Sequence, residues 1–391
     1  MNTKTITLKK GKDKSALRRH PWIFSGAIYH IDDAINDGDL VSVFSSENKL
    51  IGWGHYQEKG SISVRMIHYG EEAPNQDFWN EKIADAYNLR KSLPFLLNNN
   101  ANVYRLIHGE GDGLPGLVID VYDENIVVQC HSLGMSLSAE SIGLALQNQF
   151  KKTVKNIYLR EAHSKEEKEG KYLLRQNDET ACLVKEYNCS FKVNWEEGQK
   201  TGFFIDQREN RRIVASYCKG KTVLNAFSYT GGFSMAALKN GAKHVTSVDI
   251  SAKATALANE NAALNDCEAN HEAVTADVMS YLAQLTENFD VIILDPPAFA
   301  KHQSAKHKAI QAYRRINQEA IARIPKGGFL FTFSCSQVID KITFEGIIRS
   351  AAINLGREVK IIERLSQPQD HPISIFHPEG DYLKGLALCV L

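Results

Sequence analysis

The chain has 391 residues, a length usually shared among two or three cores rather than packed into one. Lys plus Arg and Asp plus Glu balance at 46 each, which argues against a protein whose whole surface coats nucleic acid. Hydrophobic residues at 43% and charged residues at 24% are ordinary globular values, and no apolar run approaches the roughly 20 residues that span a bilayer.

The opening MNTKTITLKKGKDK is polar and basic with no apolar core, so a cytoplasmic protein is expected rather than a secreted or membrane one. KKGKDKSALRRH (9–20) sets six basic residues, Arg18 and Arg19 among them, against one acid. With Trp22 and Phe24 nearby, the stretch suits phosphate contact with some stacking. For the two aromatics themselves, the preferred reading is the core of a β-domain. Short alternating runs at 39–45, 50–56 and 61–67 predict strands of a small β-barrel or half-barrel within residues 1–70.

Helical spacing covers 75–93, and a Gly/Pro turn at 109–116 leads into two strands joined by Asp123-Glu124-Asn125. An amphipathic helix is predicted at 136–150, a solvated loop or helix face at 161–171 and a β-hairpin at 182–195. Residues 71–195 thus read as a central α+β domain.

From 196 to 391 strand and helix alternate. Apolar strands are predicted at 222–227, 244–250, 271–277, 289–295 and 327–334, which means a parallel, doubly wound sheet. Two last strands, 359–367 and 382–391, have only a loop between them and predict an antiparallel edge pair. Seven strands with that ending point to a methyltransferase-type Rossmann sheet, giving an α/β class with an N-terminal β-barrel and a central α+β domain.

Ligands of such sheets bind beyond the carboxyl ends of the strands. After the first strand comes AFSYTGGFS (226–234), which lacks a full G-x-G-x-x-G. Gly231 and Gly232 open the next helix, with Phe227, Ser228 and Tyr229 before them. Asp249 ends the second strand, Asp277 the third and Asp295 the fourth. A cofactor with an adenosine but no diphosphate fits this set, which means S-adenosylmethionine (SAM). Against this, an Asp at a strand end commonly caps the next helix. His302 and His307 have the wrong spacing for one helix face, so no metal is expected.

LDPPAF (294–299) holds Asp295 rigidly before two prolines, and SCS (334–336) puts Cys335 at the end of the next strand. The seven cysteines (Cys130, Cys182, Cys189, Cys218, Cys267, Cys335 and Cys389) form no CxxC pair, and most are expected to be small buried hydrophobes. Cys335 differs in its company. A thiolate adding to carbon 6 of a pyrimidine makes carbon 5 nucleophilic toward a methyl sulfonium, and an acid at N3 stabilises the adduct. Cys335 would be that nucleophile and Asp295 that acid. Ser334 and Ser336 could hydrogen-bond either the thiolate or the strand-end backbone.

The sequence resembles the RlmI-type ribosomal RNA large-subunit (cytosine-5) methyltransferases, which carry an N-terminal PUA domain. The resemblance runs through RRHPWIFSGAI, GEGDGLPGLVIDVY, GQKTGFFIDQRENR, VLNAFSYTGGFS, SVDIS, ILDPPAFAK, FTFSCS and DHPISIFHPEGDYLKGLALCV. It implies large-subunit rRNA as partner, SAM along Phe227 to Gly232 and at Asp249, Asp277 and Asp295, and Cys335 as nucleophile. It also brings Gln207 and Arg208 beside the cofactor; an N-terminal helix cap and a surface charge are their alternatives. A second cysteine found in other cytosine-5 enzymes is replaced here by Ala298. A related guanine-N7 methyltransferase domain shares the Asp-Pro-Pro turn without the cysteine, so Cys335 favours carbon 5. Lys301, Lys306, Lys308, Arg314 and Arg315, a stretch without acids, flank the expected base pocket and suit RNA phosphates. A homodimer is compatible with the resemblance. Methylation of uridine or guanine, and an rRNA-binding assembly factor that holds SAM without turnover, remain the alternatives.

Overall fold

The computed structural model describes residues 4–162, 170–286, 288–300 and 302–391. Residues 163–169, the middle of the solvated stretch expected at 161–171, and Lys301 lie outside the described residues, and Glu161 and Lys171 at the ends of that stretch belong to strands. The chain divides into two compact units, one of residues 1–184, 193–205 and 369–380 and one of residues 185–192, 206–368 and 381–391.

The first unit holds two sheets. Strands Thr5–Leu8, Trp22–Phe24, Ile28–Ile31, Leu40–Phe44, Leu50–Tyr56 and Ile62–His68 make a six-stranded mixed sheet. Its core is Ile6, Leu8, Ile23, Val41, Val43, Val64 and Met66. Side chains alternate along a strand, so placing Ile23 in that core turns its neighbours to the other face. Trp22 is accordingly half-buried and Phe24 is 46% exposed, which corrects the expectation that both aromatics lie in the core. Trp22 instead donates its indole N–H to Glu110 at 2.8 Å and packs edge-on to His377. Strands Val103–His108, Leu117–Tyr122, Asn125–Cys130, Asn156–Glu161 and Lys171–Arg175 make a five-stranded sheet, and helix Gln76–Lys91 fulfils the spacing read at 75–93.

The second unit is the predicted seven-stranded sheet: β1 (Thr222–Ala226), β2 (His244–Asp249), β3 (His271–Thr275), β4 (Val291–Leu294), β5 (Gly328–Ser334), β6 (Val359–Leu365) and β7 (Lys384–Val390). The spatial order is β3-β2-β1-β4-β5-β7-β6, parallel except for the antiparallel pairs that β7 makes with β5 and β6. The order reverses between β1 and β4, which is where a doubly wound sheet opens a crevice. All four residues of β4 are buried, as a strand covered on both faces requires. Asp290, expected within that strand, precedes it; its carboxylate accepts the N–H and hydroxyl of Thr222.

The sheet is flanked by α1 (Arg208–Ser216), α2 (Gly232–Lys239), α3 (Ala252–Leu264), α4 (Val278–Gln284), α5 (Lys306–Arg323) and α6 (Lys341–Leu355). One core joins Leu224, Ile292, Leu294 and Leu330 of the sheet to Tyr313 and Ile316 of α5 and Phe344 and Ile348 of α6. Among the described residues, no helix is long and apolar enough to cross a membrane.

Candidate active site

Beyond β1 the backbone turns through three positive φ angles: Phe227 at 61°, Tyr229 at 45° and Gly231 at 78°. Non-glycine residues resist that region, and such strain collects at ligand sites held by their surroundings. The hold is visible here. Ser228 N–H donates to Val248 O at 3.1 Å, Gly231 N–H to Ser228 O at 2.9 Å, and Tyr229 N–H to the Asp249 carboxylate at 2.9 Å. At Gly231 a Cβ would also sit 3.2 Å from that of Ala258, a tight approach that favours glycine beside the positive φ.

Asp249 uses its second oxygen on Ser251 N–H, which leaves each oxygen a lone pair for a ribose hydroxyl. The Ser228 hydroxyl is buried in this cradle without a hydrogen-bond partner. A polar atom so placed usually waits for a ligand or water. Strained loop, orphaned hydroxyl and strand-end carboxylate together fit the adenosine and amino-acid ends of SAM.

The other expected cofactor residues divide. Asp277 is exposed, and one of its oxygens caps α4 by accepting Ser280 N–H at 2.9 Å and its hydroxyl at 2.8 Å. Those bonds, the backbone one first, hold its carboxyl below the usual range. Gln207 makes no side-chain cap at α1; it donates to Asp295 at 2.9 Å and accepts from Asn210 at 2.6 Å. Asn210 in turn donates to Ser366 O, so a buried amide chain orients the Asp295 carboxylate. Arg208 is fully buried against Glu209, which replaces its reading as a surface charge. Gly232 starts α2 beneath the Arg211 side chain.

Cys335 follows the last residue of β5 and is half-buried. It lines a cavity of about 210 Å³ with Ala298, Ala300, Gln337 and Tyr382. The turn that begins at Asp295 therefore delivers Ala298 to the wall beside the thiol. The flanking serines knit the strand end together. Ser336 Oγ meets Ala300 N–H at 3.4 Å and Tyr313 hydroxyl at 3.1 Å, and Ser334 Oγ accepts Ser336 N–H.

Sequence reasoning missed Tyr313, Asn210 and Lys384. The Lys384 ammonium is buried and donates to Ser336 O at 2.8 Å and Tyr382 O at 2.7 Å. Its motif, DYLKG, was in view, but a lysine opening an apolar strand reads as surface.

Arg315 on α5 is exposed, and half-buried Arg314 donates to Gln311. Arg18 and Arg19 are exposed in the first unit, where Arg19 lies over the Tyr69 ring. His20, His377 and Glu379, also in the first unit, gather ligand-type atoms within 4.8 Å of one another; His302 and His307 belong to no such group among the described residues.

Known proteins agree with this architecture. Residues 6–69 match a PUA-like domain family and residues 154–381 an S-adenosylmethionine-dependent methyltransferase family. A Pseudoalteromonas atlantica protein named ribosomal RNA large subunit methyltransferase I is 40% identical over 99% of both chains. A solved Streptococcus mutans protein described as a SAM-dependent methyltransferase superposes with a TM-score of 0.85 at 22% identity, covering 98% of this chain and 99% of its own. A second solved methyltransferase, complexed with SAH, also gives 0.85 at 22% identity and covers 100% of both chains. On a PUA-like segment, a seven-stranded methyltransferase sheet and end-to-end identity, the chain belongs to the ribosomal RNA large subunit methyltransferase I family of SAM-dependent enzymes.

Proposed function

We propose that this enzyme forms 5-methylcytosine in large-subunit ribosomal RNA through a covalent adduct at Cys335. The observation that carries the reading is the thiol at the mouth of the Ala298–Tyr382 cavity, on the strand next to the one that ends at Asp295. Attack of Cys335 Sγ on carbon 6 of the base forms the S–C bond and moves electron density toward carbon 5 and N3. Asp295, oriented by Gln207, acts in its protonated form and donates its proton to N3; once carbon 5 has taken the methyl group and lost its own proton, the S–C bond breaks and N3 gives its proton back. SAM, when bound, supplies the methyl group as an electrophile at sulfur. Phe227, Ser228, Tyr229, Gly231, Gly232, Asp249, Asp277, Gln207 and Arg208 are the residues we assign to hold it.

Residues 1–70 are assigned as the PUA domain, 71–195 as the central domain and 196–391 as the catalytic domain. Arg18, Arg19, Lys301, Arg314 and Arg315 are assigned to RNA phosphates, in the cytoplasm where ribosomal RNA is found. Guanine-N7 attack needs no covalent activation and leaves Cys335 without a task.

Cys335→Ala tests the mechanism. Methyl transfer to rRNA should fall on the order of 10⁴-fold or more, as when a covalent nucleophile is removed elsewhere, while SAM affinity is kept. A variant that retains full transfer sinks the adduct. Mass spectrometry of rRNA from cells lacking the protein should find one 5-methylcytosine missing; a missing methylated uridine or guanine would name the competing base.

A further inference from the structure

Lys384 is a buried lysine on β7, the strand paired with the one that ends beside the thiol. Across the β5–β7 pairing its Cα lies opposite Ser334, one residue before Cys335. Its two bonds go to the carbonyl of Ser336, one residue after Cys335, and to that of Tyr382, which lines the same cavity. The strand ladder and the clamp thus bracket the thiol from both sides in sequence. Among the described residues no carboxylate lies within ion-pair distance of it, and its third N–H is used by neither carbonyl.

We propose that Lys384 is a positioning residue for the covalent step, its charge holding Cys335 as the thiolate. This rests on the cysteine mechanism above. On deprotonation the thiol proton leaves to water; Lys384 keeps its own three and supplies only field. A cation beside a thiol favours the ionised form, and low dielectric strengthens the effect. The reciprocal influence is present: burial draws the Lys384 ammonium below the ordinary lysine range, and the Cys335 charge opposes that shift.

Other charges face the pair. Asp381 and Asp340 favour the ammonium and Lys341 opposes it, but Lys341 and Asp381 pair with each other at 2.5 Å. Tyr313 reaches in from α5 with its hydroxyl pushed up by burial, so it stays neutral, and Asp295 closes β4. Tyr382 gives its hydroxyl to Asp206 at 2.8 Å. Lys384 is the cation bonded directly to the backbone carbonyl that follows the thiol.

The test is alkylation of the full-length protein by iodoacetamide across pH 5–10, read at the Cys335 peptide by mass spectrometry with the Cys389 peptide as internal reference. In the wild type the Cys335 midpoint should fall below the ordinary thiol value of about 8.5. Lys384→Met should raise it by about one unit, slowing alkylation at pH 7 about tenfold, and Lys384→Arg should restore it. A wild-type midpoint at or above the ordinary value overturns the proposal even if no variant folds, as does a midpoint that Lys384→Met leaves unmoved. Full methyl transfer by Cys335→Ala would instead remove the covalent step while leaving the alkylation result standing, so the two failures are distinguishable.

Discussion

Arg105 and Lys384 are both buried cations, one in each unit, and their partners differ in kind. Arg105 is gripped by Asp120 through bonds of 2.6 and 2.9 Å, and Thr201 adds a third hydrogen bond to that carboxylate. Arg90 repeats the pattern with Asp112. These pairs are electrically closed: each charge ends on its own counter-ion, and little field reaches a neighbour. Lys384 has carbonyl dipoles where Arg105 has an anion, so its charge acts on whatever lies alongside. The contrast separates a cation that holds a fold together from one available to a reaction.

The largest effect should come from opening a closed pair. Asp120→Ala strands Arg105 in the first unit and should destabilise by about 3–5 kcal/mol in urea unfolding. Lys384→Met removes a lone buried charge and its desolvation penalty together with two hydrogen bonds. It should change stability by no more than about 2 kcal/mol either way. Equal losses in the two variants would break the comparison and make Lys384 a structural residue.

Buried imidazoles sharpen the contrast from the other direction. His55 in the first unit and His271 in the second are each pushed down to about 4, burial being the main cause. Each meets a single serine hydroxyl, Ser138 or Ser247, and folds neutral, whereas Lys384 donates to two carbonyls. Their depressed values fix the sign. The folded state is unpenalised above the ordinary value of 6.5; as pH falls from there toward about 4, the unfolded chain takes up protons first and stability drops. His55 should account for up to about 3 kcal/mol of that loss, and His271, less buried, for less. His55→Gln should flatten the decline between pH 7 and 4.5 in urea unfolding; an unchanged slope would assign the loss to other groups.

The same electrostatics decided what could be read from sequence. The central strands β1, β4 and β5 of the second unit are legible because strands buried on both faces read as unbroken apolar runs. Val103–His108 is not, although five of its six residues are buried, because Arg105 in its middle reads as a solvent-facing charge. Only the pairing of that strand with Leu117–Tyr122 brings Asp120 opposite Arg105. Trp22–Phe24 has only three residues, too few for period two to show against the background. At the candidate site, Asp249, Asp295 and Cys335 stand out as candidates because strand ends are readable. Lys384 was passed over because β7 was expected at the sheet edge, where a lysine is solvated. It lies between β5 and β6, and that position buries the ammonium.

The smallest effect tests how far a readable residue can be trusted. Asp277 and Asp340 cap α4 and α6 in the same way, each accepting the N–H and hydroxyl of the residue three further on. Both carboxyls are held below the ordinary range mainly by that backbone bond. Alanine at either position should therefore cost about 1 kcal/mol of stability. Only Asp277 stands at a strand end assigned to the cofactor, so Asp340→Ala controls for the loss of a cap. SAM titration should show Asp277→Ala weakened about five- to tenfold beyond Asp340→Ala, as expected for one lost hydrogen bond. Equal affinities would make Asp277 a helix cap alone and leave Asp249 and the Phe227–Gly232 turn to hold the adenosine.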